Sequence, residues 1–315
     1  PQTDALREKV IELNYEAGLK AATATANDSA LSYFKAAGTH LTEADWQSNH
    51  ELCYHVFFSI MESNYLIGAY EDMEINGNLL LSRAKTKLEK LETYNIFVQA
   101  LIAQGKHIEL IDYGLSILKT AGIRLPSKPS DLDILQGLLK TKLKLRGKSA
   151  DYFEQLPDMT DDSMELAINM MSSISTASYH NFPKLFPLVI FKSVQLSLKH
   201  GNSMESIPFY GGYGTILCGV MGEYERGVEF GKLSLSLLAR SSEYKAVVPK
   251  TLVIYYTFIN HWKDHLRESI NPAEEAFIVS LEIGDNQYAA TSAFQKSYTG
   301  FLSGDRLPEV LREME

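Results

Sequence analysis

An all-α chain, built as a solenoid of antiparallel helix pairs, is what the sequence predicts, and three observations carry that expectation. Apolar residues recur at helical spacing nearly throughout, while strand-type alternation is almost absent. After Pro1 no proline occurs until Pro126, which leaves 124 residues without the commonest helix breaker. Glycines followed by a polar or aromatic residue supply the stops instead. A glycine just past a helix end takes up the left-handed cap at least steric cost.

In chain order, the first periodic stretch sets Leu6, Val10, Leu13 and Ala17 on one face, and a stop is expected at Gly38-Thr39. The next helix turns Leu52, Val56, Ile60 and Tyr65 inward and ends at Gly68-Ala69-Tyr70; a later one ends at Gly105-Lys106-His107. Gly68 and Gly105 lie 37 residues apart. That spacing is near the ~34-residue period of a tetratricopeptide-type pair, so the expected solenoid is a TPR-like α-α superhelix. Each glycine is followed at +2 by a ring (Tyr70, His107) that packs in the turn, and at +5 by an apolar residue (Met73, Leu110) that opens the next buried face. Gly222-Glu223-Tyr224 repeats the turn, with Gly227 at +5 where a small residue permits close helix contact. No proline closes each second helix, so the consensus is degenerate.

A longer echo runs at 83 residues, where Ser197-Leu198-Lys199-His200-Gly201-Asn202 matches Ser280-Leu281-Glu282-Ile283-Gly284-Asp285; the next stops, Gly222 and Gly304, are 82 apart. Stacked helical pairs that bury their apolar faces only against neighbours account for such an echo. The clearest loop is Gly122 to Ser130, after which Ser130 or Asp131 can cap a helix. A soft boundary there separates residues 1–125 from 126–315, two sub-arrays expected to share one continuous core. Leu156 to Asp162 forms a second break, and Asn181-Phe182-Pro183 opens another helix. Pro187, Pro208 and Pro249 are expected to start helices or to kink them.

Composition narrows the function classes. Thirty basic against thirty-nine acidic residues, a net charge of −9, argues against a nucleic-acid surface. Cys53 and Cys218 cannot build a disulfide framework and suit a reduced, cytoplasmic protein. The longest apolar run, Thr251 to Ile259, falls well short of the ~18–20 residues of a membrane span. Charged residues interrupt the first apolar positions, which does not read as a signal peptide. The missing initiator Met and the run Leu311 to Glu315, which reads as a helix cut in mid-turn, are expected of a segment of a longer protein.

Chemical motifs are few. His50-Glu51-Leu52-Cys53-Tyr54-His55 resembles a zinc-protease motif, but histidines five apart sit ~140° around a helix and cannot chelate one ion. Asp158, Asp161 and Asp162 lack the glycine and distal glutamate of a calcium loop, and helix capping explains them. Gly211-Gly212-Tyr213-Gly214 has no preceding strand and no Gly-Lys-Ser/Thr, so close helix crossing is the better reading. Tyr255, Ile259 and Trp262 lie at helical spacing with Tyr256, His261 and His265 nearby. Such a stripe is ordinarily core, yet the concave side of a helical solenoid is often aromatic and binds peptides or small ligands. No metal site, cofactor or catalytic dyad is predicted.

Several stretches resemble a known family. They are Tyr65 to Asp72, Gly105 to Glu109, Tyr113-Gly114-Leu115 and Ala121 to Pro126, then Leu156 to Asp161 (similar to an LPxMTD element) and Phe182 to Leu188 (similar to NPxLFPL). Leu196 to Gly201, Tyr213-Gly214, Phe230 to Leu235, Trp262 with His265, and Gly284-Asp285 continue the likeness from about residue 10 to 305. The chain thus resembles the helical-repeat region of very large signalling kinases. These carry a kinase domain and a STAND/AAA-type ATPase before the repeats, with GAF and histidine-kinase modules often following. Phe182 departs from the family's asparagine before proline, while Asn181 stands one place earlier. The resemblance implies a non-catalytic scaffold or sensor segment whose partners are other domains of its own parent chain and unidentified proteins or peptides. A small-ligand-sensing groove around Tyr255 to His265 is the alternative; an enzyme on an α/α scaffold is a third.

Overall fold

The computed structural model describes residues 2–314, and among them the chain is all-α. No strand forms among these residues, and the one β-type pairing is a bridge between Asp158 and Asn202. Pro1 and Glu315 lie outside the described residues. Backbone contacts divide the chain into two units, one reaching to Arg124 and one starting at Leu125.

The N-terminal unit comprises α1 (Gln2–Thr23), α2 (Asn27–Thr39), the short α3 (Asp45–Ser48), α4 (His50–Leu66), α5 (Tyr70–Arg83), α6 (Lys87–Ala103) and α7 (His107–Thr120). Successive long helices pack against one another from α1 to α7. One core cluster joins Ile11, Phe34 and Ala37 to Val56 and Ile60; another joins Trp46, Cys53, Tyr54 and Met61 to Met73, Leu80 and Ile96. Met73 and Leu110 begin the buried faces of α5 and α7. Two side-chain networks brace this unit. Asp45 binds the Arg7 guanidinium at 2.6 and 3.0 Å, and the Tyr54 hydroxyl donates to the Glu89 carbonyl at 2.6 Å.

Two expectations for this unit need correction. In α1, Leu6 and Leu13 are exposed; Ile11 and Gly18 face inward instead, because a Cβ at Gly18 would collide with the Phe34 ring. Gly38 is no left-handed stop. It lies within α2, 3.2 Å from Ile60 by its would-be Cβ, and His40 caps the helix in right-handed conformation.

The C-terminal unit comprises α8 (Asp131–Lys144), the short α9 (Ala150–Glu154), α10 (Asp162–Asn181), α11 (Leu185–His200), α12 (Ile207–Gly219), α13 (Tyr224–Leu238), α14 (Val248–Phe258), α15 (Ile270–Ile283), α16 (Asn286–Leu302) and α17 (Leu307–Met314). Ser130 and Asp133 form a reciprocal capping box on α8, and the Asp161 carboxylate accepts from Met164 N–H on α10. Pro208 and Pro249 stand in the first turns of α12 and α14, and Pro187 in that of α11, so each starts a helix without kinking it. Gly201 and Gly284, the paired glycines of the echo, both have positive φ and cap α11 and α15.

Aromatic rings dominate the centre of this unit. Tyr213 meets Phe230 edge-on at 4.9 Å between ring centroids, and Phe153 packs at 5.5 Å from Phe230. Gly214 and Gly227 let α12 and α13 cross in contact, since a Cβ at Gly214 would meet the Gly227 carbonyl at 2.5 Å. The Asn202 side chain ties the loops beneath: its amide donates to the Phe153 carbonyl at 2.8 Å and accepts from the Tyr210 hydroxyl at 2.7 Å.

α14 stops before Trp262. Ile259 leaves helical geometry, and Asn260 to Trp262 form a separate 3-10 turn. Asn260 is held at the break: its amide donates to Ser269 Oγ at 3.3 Å, and the Ser269 hydroxyl donates to the Tyr256 carbonyl at 3.0 Å. A continuous stripe from Tyr255 to Trp262 therefore does not form.

Candidate functional site

α12, α14 and α16 are the first helices of three successive pairs, and α14 packs against both of the others. With α10 and the start of α11 they enclose a cavity of about 630 Å³. That volume lies in the usual range of small-molecule sites. Ile190, Phe209, Val253 and Ile254 form its apolar floor, and Tyr179, Phe186 and Phe258 make an aromatic wall. Tyr179 meets Phe186 edge-on at 5.3 Å and Phe258 at 6.1 Å.

α16 supplies the opposite wall, and its pattern is inverted. Ser292, Gln295, Ser297 and Thr299 are buried, whereas Phe294, Tyr298 and Leu302 are half or more exposed where they line the cavity. Phe294 and Tyr298 stack at 5.6 Å with an interplanar angle of 12°. Apolar side chains held open around a concavity are a common sign of a binding surface.

Polar groups sit at two levels. At the first, Lys250 Nζ donates to the Ser172 carbonyl at 3.2 Å and hydroxyl at 2.7 Å. Burial pushes its pKa down, while Glu205 and Asp285 pull it partly back. Tyr288 stands at the same level, its phenol pushed up by burial against a hydrogen bond with Thr176 and kept neutral. At the second level, Gln295 is only 6% exposed, and neither its amide nitrogen nor its oxygen has a protein partner. Thr257 Oγ1 is likewise buried and unpaired. No Asp or Glu belongs to the described lining residues; Lys250 and His261 are the basic groups among them.

The residues singled out by sequence part company here. Tyr256 and His261 line the cavity. Tyr255 points to the other side of α14, into a core with Cys218, Val228 and Ile259. Trp262 stacks on Tyr224 at 4.5 Å, and its indole donates to the Phe258 carbonyl. His265 accepts from Arg267 N–H through Nδ1 and caps the 3-10 turn Leu266–Ser269. The turn glycines Gly68, Gly105, Gly201, Gly222, Gly284 and Gly304 all have positive φ, and Tyr70, His107 and Tyr224 open α5, α7 and α13. Lys250, Thr257, Tyr288 and Gln295 escaped notice because none belongs to a motif. The signal that could have found them was the outward Phe294, Tyr298, Leu302 series at helical spacing.

Elsewhere, His50 Nε2 lies 3.1 Å from Glu89 Oε1 and the exposed His55 lies 3.9 Å from Glu51, so the two histidines serve separate pairs. Among the described residues no group of three or more His, Cys, Asp or Glu could hold a metal ion. In the N-terminal unit a wide groove of about 1200 Å³ between α5, α6 and α7 is lined by Glu71, Asp72, Glu74, Glu109 and Asp112 with Lys106. No helix of the described residues is long and apolar enough to cross a membrane.

No family profile matches the chain. It is similar, at 23% identity over 310 residues, to a protein described as hybrid signal transduction histidine kinase G of Dictyostelium discoideum. The likeness covers 89% of this chain and 9% of that protein. It supports a signalling-kinase context for this all-α segment.

Proposed function

We propose that the chain is a non-catalytic, TPR-like sensor segment of a multidomain cytoplasmic signalling kinase, and that the C-terminal unit senses a small ligand. The cavity between α10, α12, α14 and α16 is the observation that carries this reading. It combines an apolar floor with buried polar groups that lack protein partners, which is the composition of a ligand site. A ligand that prefers one arrangement of these helices biases the neighbouring domains toward one state. Its likeness to part of a hybrid signal transduction histidine kinase supports a signalling-kinase setting for such a sensor. The buried, unpaired thiols of Cys53 and Cys218 suit a reducing compartment.

A scaffold reading is favoured by a different observation. Leu132, Leu135, Leu139 and Leu143 form an exposed stripe along α8 at spacings of 3, 4 and 4 residues. Such a stripe suits a partner helix or another domain of the parent chain. The two readings are separated by a thermal-shift screen of metabolites and nucleotides on the 315-residue chain. Saturable stabilisation by one compound, abolished by Thr291→Trp at the exposed rim of the cavity, is the expected result. A screen without any such compound would leave the scaffold reading in its place.

A further inference from the structure

The two polar levels of the cavity define a ligand. Lys250 and Thr257 are seven residues apart on α14, and Tyr288 and Gln295 are seven apart on α16. Seven residues return to nearly the same helix face and advance ~10 Å. Tyr288 near the start of α16 packs against the cluster of Leu252, Val253 and Ala276, and Asp285 at the head of α16 acts on Lys250 near the start of α14. Beyond their C-termini, Arg267 donates to the Ser303 carbonyl at 2.8 Å. Lys250 therefore shares a level with Tyr288, and Thr257 shares one with Gln295, with Val253 and Ile254 between.

The chemistry at each level differs. An ammonium has three protons, and Lys250 gives two to Ser172, so one remains for an acceptor. Glu205 and Asp285 influence Lys250 but do not line the cavity. Gln295 offers one donor group and one acceptor, both buried and unmatched, and the Thr257 hydroxyl of the same cavity is unmatched too. A neutral group that both donates and accepts fits there, because a charge would be buried without a counterion.

We propose that the cavity binds a medium-chain carboxylic acid that carries a neutral hydrogen-bonding group, a hydroxyl or amide, ~10 Å from its carboxylate. The carboxylate meets Lys250, the methylene chain crosses the Val253–Ile254 floor, and the far group pairs with Gln295 and Thr257. The absence of carboxylates among the described lining residues turns away the corresponding amine. This assignment rests on the sensing role proposed above.

Calorimetric titration of the full chain with ω-hydroxydecanoate, decanoate and decylamine tests it. Saturable one-site binding of ω-hydroxydecanoate is expected, with decanoate ~10-fold weaker for want of one buried hydrogen-bonded pair. Decylamine is expected not to bind. Lys250→Met weakens both acids ~10-fold or more, whereas Gln295→Leu abolishes the ~10-fold preference for the hydroxy acid over decanoate. Binding of decylamine as tight as that of the acids, or no binding of either acid, overturns the assignment. Should Lys250→Met unfold the chain, the three-ligand comparison on the unaltered protein decides by itself. If both acids fail while another compound binds in a manner sensitive to Thr291→Trp, the carboxylate assignment falls and the sensing role stands.

Discussion

Two buried carboxamides in the C-terminal unit, Asn202 and Gln295, are equally hidden, each 6% exposed, and they do opposite things. Asn202 spends its side chain on Phe153 and Tyr210, and its backbone pairs with Pro157 and Met159 at 2.8 and 2.6 Å. Gln295 has no protein partner at either amide atom and borders a cavity. Burial alone therefore says little about a polar side chain. Whether its hydrogen bonds close within the protein separates a structural post from a group available to a ligand.

The sharpest way to break that comparison is Asn202→Ala. It deletes two buried hydrogen bonds and opens a cavity, while the Phe153 carbonyl keeps Leu156 N–H and the Tyr210 hydroxyl keeps Ser197. A loss of about 3 kcal/mol is expected in urea unfolding of the chain, from two lost buried hydrogen bonds and the cavity left by the side chain. A loss below about 1 kcal/mol would mean that solvent reaches this node, and the contrast with Gln295 would collapse.

Gly227→Ala comes next. A Cβ there would run into Cys218 Sγ and come within 2.8 Å of the Gly214 carbonyl, both on α12. Helix backbone cannot step aside as a flexible side chain can, so about 2–3 kcal/mol of overpacking strain is expected. A thermal melt of the variant reads it. An unchanged melting temperature would show that α12 and α13 separate at little cost.

These positions also mark how far the sequence could be read. The turn glycines were legible because a polar or aromatic residue after glycine reports a left-handed cap, and Gly68, Gly105 and Gly222 adopt it. Gly38 was misjudged because a glycine inside a helix, kept small for Ile60, has the same local neighbours as one past its end. The break of α14 was hidden because what marks it, Asn260 meeting Ser269, is a tertiary contact without sequence periodicity. The cavity was half legible. Tyr256 and His261 announced an aromatic face, but α16 is amphipathic in reverse, and period alone does not say which face looks inward. Lys250 and Gln295 are single polar residues whose meaning comes only from what surrounds them.

In the N-terminal unit the matched case is Asp45. The Arg7 guanidinium, then the Thr42 hydroxyl, hold its carboxyl well below the usual carboxylate range. A carboxyl depressed in the folded state contributes stability that is fully present above its unfolded pKa of ~4 and is lost as pH falls through the folded value. Acid unfolding of the wild-type chain should therefore steepen below pH ~4. Asp45→Asn should lose about 2 kcal/mol at neutral pH and flatten that acid limb. An acid limb unchanged in the variant would assign the acid sensitivity to other carboxylates.

The smallest effect is the most telling, since its sign is reversed. Gln295→Leu keeps the approximate shape of the side chain and removes two buried, unmatched polar atoms. Replacing an unsatisfied amide by an apolar group relieves a desolvation penalty and costs no hydrogen bond, so the ligand-free chain should gain about 1 kcal/mol. The same substitution at Asn202, Asn202→Leu, should destabilise. Urea midpoints for the two variants, measured with unchanged slopes, form the direct test. Destabilisation of both would mean that Gln295 finds partners inside the protein, and the cavity would lose its second polar level. Stabilisation by Gln295→Leu alone identifies a residue kept at some expense to the fold, as expected where a polar side chain serves a ligand.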